Sequence, residues 1–326
     1  MRYITEIDAV EELETLRLTD GILLQGEDCL MRMEEQRLLV QSLLVSPPKR
    51  SEDLRLGCLL RSQTVLWLEK IENCANNKII IRLPDKPVDA FLPGTKAEME
   101  RLGELMAVPF AELYEQIRDM RTMNPDLSCR GCRMMINNEL LFRTYLRSLL
   151  TAAKQRGGCE VSILLPFIAE KQEVLFLRGI ITECAATTEI RCRIGAEIAT
   201  PRAACIAEEL AADADFIIFR FEELVQLLYG MSKHDTKQVI SRYMHEKVFQ
   251  HNPFAEFDEM GMGTLITIAV NRIRQIKPDI VIGAAGRPAL TEKGRTFCSD
   301  MGINMLLASQ NLFRVENVFE QERKHA

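Results

Sequence analysis

Four short apolar runs constrain this chain more than any other feature: KIIIRL (78–83), EVSILLP (160–166), DFIIF (215–219) and DIVIG (279–283). Continuous apolar runs of this length, rich in Ile, Val and Leu, fit strands covered on both faces, the mark of a parallel sheet. Candidate strands are Arg2–Thr5, Gly21–Gln25, Lys78–Leu83, a segment around Arg130–Met134, Glu160–Pro166, Arg191–Ile198, Phe216–Arg220 and Asp279–Gly283. They number eight.

The segments between them read as helices with recognisable ends. Thr95-Lys-Ala-Glu98 is a capping box, and Leu102, Leu105 and Met106 continue it as an apolar stripe. Pro109 opens a second helix carrying Phe110, Leu113, Ile117 and Met120, before Asn124-Pro125. Glu222 and Glu223 suit the positive end of a further helix, and Gly230 suits its left-handed close.

Strands alternating with helices predict an α/β fold, a closed (β/α)8 TIM barrel with helical insertions after strands 2 and 3. The alternative is an open doubly wound sheet, weakened because no G-x-G-x-x-G turn follows an early strand. No internal repeat, low-complexity tract or Pro/Gly/Ser-rich linker divides the chain, so residues 1–326 are expected to form a single domain.

Charge and composition exclude several classes. A formal net charge of −6 argues against a nucleic-acid surface, which wants a Lys/Arg excess. No apolar run is long enough to span a membrane, and the acidic N-terminus carries no secretory h-region. The 10 cysteines are irregularly spaced and expected as reduced thiols, which predicts a cytoplasmic protein. The 4 histidines, His234, His245, His251 and His325, offer little for a histidine metal site or a Ser-His-Asp triad.

A barrel of this kind works at the C-terminal ends of its strands. There stand Ile81-Arg82-Leu83, Cys129-Arg130-Gly131-Cys132-Arg133, Gly195 to Arg202, Phe219 to Glu223, and Gly283 to Arg287. The segments IIIRLPDKPVDAFLP, NPDLSCRGCRMM, IGAEIATPRAAC, DFIIFRFEELVQLLYGMSKHD and NPFAEFDEMGMGTLI resemble, in the same order and at nearly the same spacing, the C-terminal barrel of the PEP-utilising enzymes. The FLP and RGCR elements are most similar to pyruvate, phosphate dikinase. The resemblance runs from about Gly21 to the C-terminus.

That resemblance implies a barrel that binds phosphoenolpyruvate (PEP) or pyruvate with Mg²⁺, and a transferase (kinase-type) reaction that passes a phosphoryl group to or from a phosphohistidine. In the family that histidine lies on a swivelling domain N-terminal to the barrel. This chain is expected to stand alone without it, and without a nucleotide-binding domain. The resemblance also implies a dimer, either a homodimer or a heterodimer with a complete family member.

Carried over position by position, the substrate-binding arginines persist as Arg82 and Arg130, whose planar forks match phosphate and carboxylate oxygens. Other positions depart. The strand-two motif G-I-G-L-x-R-T-E-H reads GILLQGEDC, so its arginine is Gly26 and its glutamate Asp28. The metal-binding glutamate of G-T-M-I-E-x-P-R is Ala199. In G-T-N-D the asparagine is Glu222 and the metal-binding aspartate Glu223. The cysteine that protonates the enolate is Ala285, and the glutamate after it Arg287. Ala199 offers Mg²⁺ no oxygen, and loss of a general acid costs about 10²–10⁴-fold in rate. The expectation is a catalytically impaired paralogue, a pseudoenzyme with a binding or regulatory role. Two alternatives stay open: an active phosphotransferase subunit served by a separate phosphohistidine domain, and a barrel repurposed for another small carboxylate.

Individual residues keep two readings. Arg82 and Arg130 hold a phosphorylated or carboxylated ligand, or they are interior ion-pair residues with Glu197, Glu222 or Glu223. Glu197 and Glu223 rebuild a divalent-metal site, or Glu197 neutralises an arginine. The single C-x-x-C at Cys129–Cys132 lacks the second pair that zinc needs and the helix start that a redox motif wants.

Overall fold

Eight parallel strands close into a ring in the computed structural model of the chain. It describes residues 1–8, 12, 20–46, 50–72, 79–155, 161–234, 237–309 and 312, with the side chains of 28–29, 50–52 and 66–72 outside the description. The strands are β1 (Arg2–Ile7), β2 (Gly21–Gln25), β3 (Ile79–Arg82), β4 (Val161–Leu165), β5 (Cys192–Ile198), β6 (Phe216–Arg220), β7 (Val281–Ala285) and β8 (Met305–Ser309). Each pairs with the next in sequence order, and β8 returns to β1 through Arg2↔Met305 to Glu6↔Ser309.

The expected strand at Arg130–Met134 is not one. Arg130 and Gly131 lie in a loop, and Cys132–Asn137 form a helix. Gly131 takes φ 55°, and a Cβ there would lie 2.8 Å from Phe167 Cβ and 2.9 Å from Asp85 Oδ1, so only glycine fits this approach. Buried Cys132 and Met135 have helical spacing rather than strand alternation. The true eighth strand, Met305–Ser309, carries an apolar run as continuous as the others, MLLAS. The expected strands at 160–166, 191–198, 216–220 and 279–283 therefore become β4, β5, β6 and β7. The expected starts of β3 at Lys78 and of β4 at Glu160, and His325, lie outside the described residues.

The two long connections hold the expected insertions. Between β2 and β3 run α1 (Gly26–Met31), α2 (Glu34–Val45) and α3 (Arg50–Glu72). Between β3 and β4 run α4 (Lys96–Met106), α5 (Phe110–Met120), α6 (Cys132–Asn137) and α7 (Glu139–Gln155). Then follow α8 (Lys171–Thr188), α9 (Pro201–Cys205), α10 (Ala207–Ala212), α11 (Phe221–Tyr229), α12 (Lys237–His245), α13 (Thr264–Ile276), α14 (Arg287–Leu290) and α15 (Glu292–Asp300). The α4 capping box forms as expected: Thr95 Oγ1 accepts from Glu98 N at 3.2 Å, and Glu98 Oε2 accepts from Thr95 N at 3.3 Å. Gly230 closes α11 at φ 61°.

Strand alternation sorts side chains into two cores. Ile79, Ile81, Ile217, Phe219, Ile282 and Ala284 face outward and pack with the surrounding helices. Ile4, Leu23, Ile80, Leu164, Phe216, Ile218, Met305 and Leu307 fill the barrel interior. Phe216 fits because its neighbour in register is Gly195, where a Cβ would lie 2.2 Å from the ring. One step further along the inward faces, apolar layers give way to Glu6, Gln25, Arg82, Glu197 and Arg220, ringing the C-terminal mouth.

Candidate functional site

The mouth opens into a cavity of about 620 Å³, whose walls include Gln25, Glu27, Arg82, Asp85, Arg130, Arg220 and Glu223. Arg82, at the end of β3, is 6% exposed and is reached by carboxylates from two directions. Its Nε donates to Glu197 Oε2 at 2.7 Å and its Nη2 to Glu197 Oε1 at 2.9 Å, a two-pronged clasp across to β5. Nη2 also donates to Asp85 Oδ2 at 2.6 Å, and Nη1 to Gln25 Oε1 at 3.2 Å.

Arg130 reaches the same Asp85. Its Nε donates to Oδ1 and to the backbone carbonyl, both at 3.1 Å, and its Nη2 to Oδ2. Its guanidinium stacks over the Phe167 ring at 4.5 Å. The structure thus brings both expected arginines together, bridged by one aspartate. The third guanidinium, Arg220, ends β6. Its Nη1 donates to Glu6 Oε1 at 2.6 Å and its Nη2 to Glu197 Oε2 at 3.3 Å, which ties β1, β5 and β6 to one network.

The electrostatics follow from these contacts. Burial opposes the charge on Glu197, but Arg82 and Arg220 outweigh it and hold the carboxyl at about 2. Burial likewise opposes Arg82 and Arg130, yet Asp85 and, for Arg82, Glu197 raise both above the ordinary arginine value. Glu223 is buried in the first turn of α11. Lys233 Nζ donates to its Oε1 at 2.9 Å, and this ammonium, with Arg220, overcomes burial and lowers its pKa. Glu27, in α1, accepts from the backbone N–H groups of Asp85 at 2.6 Å and Lys86 at 3.0 Å.

The positions expected to depart from the family motifs have clear geometry. Ala199 follows β5 on the inward face, two residues past Glu197, and is fully buried with no oxygen to offer. Ala285 ends β7 and packs in the interior apolar cluster. Glu222 accepts the backbone N–H of Arg287 at 3.1 Å. Gly26 leaves no space: a Cβ would lie 2.7 Å from the Arg82 carbonyl oxygen and 2.8 Å from Tyr145 Oη. The side chain of Asp28 lies outside the described residues.

These residues do not fit Mg²⁺, which wants several hard oxygens converging on one point. Glu197 spends both oxygens on guanidinium groups, Glu223 shares its carboxylate with Lys233, and the alanine between them contributes nothing. Among the described residues no group of three or more His, Cys, Asp or Glu side chains converges to hold a metal ion. Against expectation a helix does start at Cys132, but the C-x-x-C is unpaired: the Cys132 thiol donates to Phe167 O at 3.3 Å, and burial pushes its pKa up, away from a reactive thiolate.

The sequence pointed to Arg82, Arg130, Glu197 and Glu223. It missed Asp85, the hub of the two arginines, three residues past Arg82 in the LPDKP stretch. It also missed Glu27, and Arg220 as an interior residue, although Phe216, Ile218 and Arg220 alternate onto one face.

A closed ring of eight parallel strands, wrapped by helices and carrying its charged residues at the C-terminal mouth, defines the (β/α)8 barrel class. The chain belongs within that class to the family described as PEP-utilising enzyme, PEP-binding domain, whose pattern matches residues 7–323. It is 26% identical over 297 residues to pyruvate, phosphate dikinase of Clostridium symbiosum, covering 87% of this chain and 34% of that one. It is 34% identical over 251 residues to pyruvate, phosphate dikinase 2 of Oryza sativa subsp. japonica, covering 73% of this chain and 28% of that one. The chain therefore spans about a third of the length of these curated relatives. Among solved structures, an HpcH/HpaI aldolase from Desulfitobacterium hafniense DCB-2 aligns over 99% of this chain and 92% of its own, at 13% identity and a TM-score of 0.40. No helix among the described residues is long and apolar enough to cross a membrane.

Proposed function

We propose that this barrel is a catalytically impaired member of its family, one that retains the mouth as a binding site and has lost phosphoryl transfer between PEP and pyruvate. One observation carries the reading: Arg82, the substrate-side arginine, is clasped by both oxygens of Glu197, and Arg220 braces that carboxylate from β6. A PEP phosphate or a pyruvate carboxylate must displace a buried, geometrically matched internal anion, whose release leaves an uncompensated charge. The family's proton donor and one of its metal ligands are alanines, so neither enolate protonation nor Mg²⁺ positioning has a side chain at those places.

We read residues 1–326 as a single domain with a regulatory or binding role, in a cytoplasmic setting where its thiols stay reduced. It would work as a homodimer or beside a complete family member. The test mixes the chain with radiolabelled PEP, Mg²⁺ and the isolated phosphohistidine domain of a complete dikinase. No label should reach the histidine above the rate without the chain. Transfer that depends on Arg82 would overturn the reading and favour an active phosphotransferase subunit.

A further inference from the structure

Acid outnumbers base at the mouth, and the surplus is not spread evenly. Six carboxylates line the cavity against five arginine and lysine side chains, with His234 beside them. Glu6 and Glu197 stand just behind the wall and add two more carboxylates. Arg82, Arg130, Arg220 and Lys233 each contact at least one carboxylate directly. An anionic ligand therefore finds these cations already engaged.

Two carboxylates are left half-partnered. Glu27 is 7% exposed; its Oε1 accepts from two backbone N–H groups, and its Oε2 is buried with no partner among the described residues. Glu223 is 5% exposed, and its Oε2 is likewise buried and unpartnered. A buried carboxylate oxygen with no donor is expensive, and both of these belong to residues that line the one cavity. Lys233 shows which kind of donor fits, since its alkylammonium sits on the other oxygen of Glu223 at 2.9 Å.

Position separates one kind of cation from another. Glu27 follows β2 and Glu223 follows β6, which are opposite strands of an eight-strand ring. Two acceptors on opposite walls suit an extended cation with more than one donor. A divalent metal ion wants several oxygens around one point, and among the described residues no three His, Cys, Asp or Glu side chains form such a group.

We propose that the mouth binds a small aliphatic amine, with a diamine as the best-matched class, whose ammonium groups are taken up by Glu27 and Glu223. The proposal rests on the reading that the mouth no longer serves PEP and pyruvate, and it names the ligand chemistry of that same site.

The experiment is isothermal titration of the full chain with 1,4-diaminobutane, and with PEP, pyruvate and MgCl2 as separate probes. Diaminobutane should bind, more weakly as salt rises, while PEP, pyruvate and Mg²⁺ bind less tightly or not at all. Glu27→Gln and Glu223→Gln, checked for fold by circular dichroism, should each weaken diaminobutane at least about tenfold. Glu27→Gln keeps an oxygen for the two backbone N–H groups, and if either variant fails to fold the other carries the comparison. The proposal is overturned if diaminobutane gives no binding heat, if a folded variant binds it as wild type does, or if PEP binds at least as tightly. Absence of amine binding in a chain that also transfers no phosphoryl group sinks this proposal alone. Phosphoryl transfer would sink the reading beneath it.

Discussion

Arg82 and Glu197, 115 residues apart in sequence, meet through two parallel hydrogen bonds of 2.7 and 2.9 Å inside the barrel mouth. The pair joins the ends of β3 and β5, across the intervening β4, and sets the electrostatics of the whole site. Arg82 is thereby fixed as part of the cavity wall.

Breaking that pair from one side should be costly. Glu197 is fully buried, so Glu197→Ala leaves Arg82 and Arg220 each short of a counter-charge. Loss of one member of a buried pair costs about 3–5 kcal/mol. Urea denaturation should show a fall of that order. A change below about 1 kcal/mol would mean that the network contributes little to the fold.

Acid should act through the same residue. The Glu197 carboxyl is held at about 2 in the folded protein, below its unfolded value of about 4.3. Its contribution to stability is therefore complete above the unfolded value and is lost as pH falls toward 2. Thermal melts between neutral pH and strong acid should show this decline in the wild type and a flatter one in Glu197→Gln. Parallel curves for the two proteins would contradict it.

Gly26, just past β2, does not accept a side chain without rearrangement. A Cβ at Gly26 meets the Arg82 carbonyl at 2.7 Å, so Gly26→Ala already forces backbone to shift, at about 1–3 kcal/mol. Gly179, inside α8, has nothing within 4 Å of the same built atom. Gly179→Ala should be stabilising by roughly 0.5–1 kcal/mol. The two melting temperatures should move in opposite directions.

Divalent metal should leave the fold untouched. Among the described residues no three acidic side chains converge on a metal position, so melting temperature should be the same in millimolar Mg²⁺ and in chelator. A rise with Mg²⁺ that is lost in Glu223→Gln would show that Glu223 binds metal after all.

The barrel was legible because buried parallel strands write themselves as continuous apolar runs, and seven of the expected eight occupy their places. The eighth was misplaced because CRGCRMM mixes a glycine-dependent turn with the start of a helix, and a window of that size carries both patterns. At the mouth, Arg82 and Arg130 could be found from their motifs. Asp85, Glu27 and Arg220 could not, because what defines them is a partner from another strand or loop. Gly26 is the clearest case: the letter shows only a glycine, while the fold shows the Arg82 carbonyl and the Tyr145 hydroxyl closing over its α-carbon.

Proton exchange into pyruvate tests the central claim most directly, because it asks only for the barrel's own half of the chemistry. Pyruvate is incubated with the chain and Mg²⁺ in deuterium oxide, and methyl-proton loss is followed by nuclear magnetic resonance. Wild type should show no exchange above the protein-free rate. The comparison is the variant Ala199→Glu/Ala285→Cys/Arg220→Gly, which places a carboxylate and a thiol where the proposed reading has a metal ligand and a proton donor lost, and removes the brace on Glu197. Exchange by the wild type at or above the rate of that variant would contradict the account.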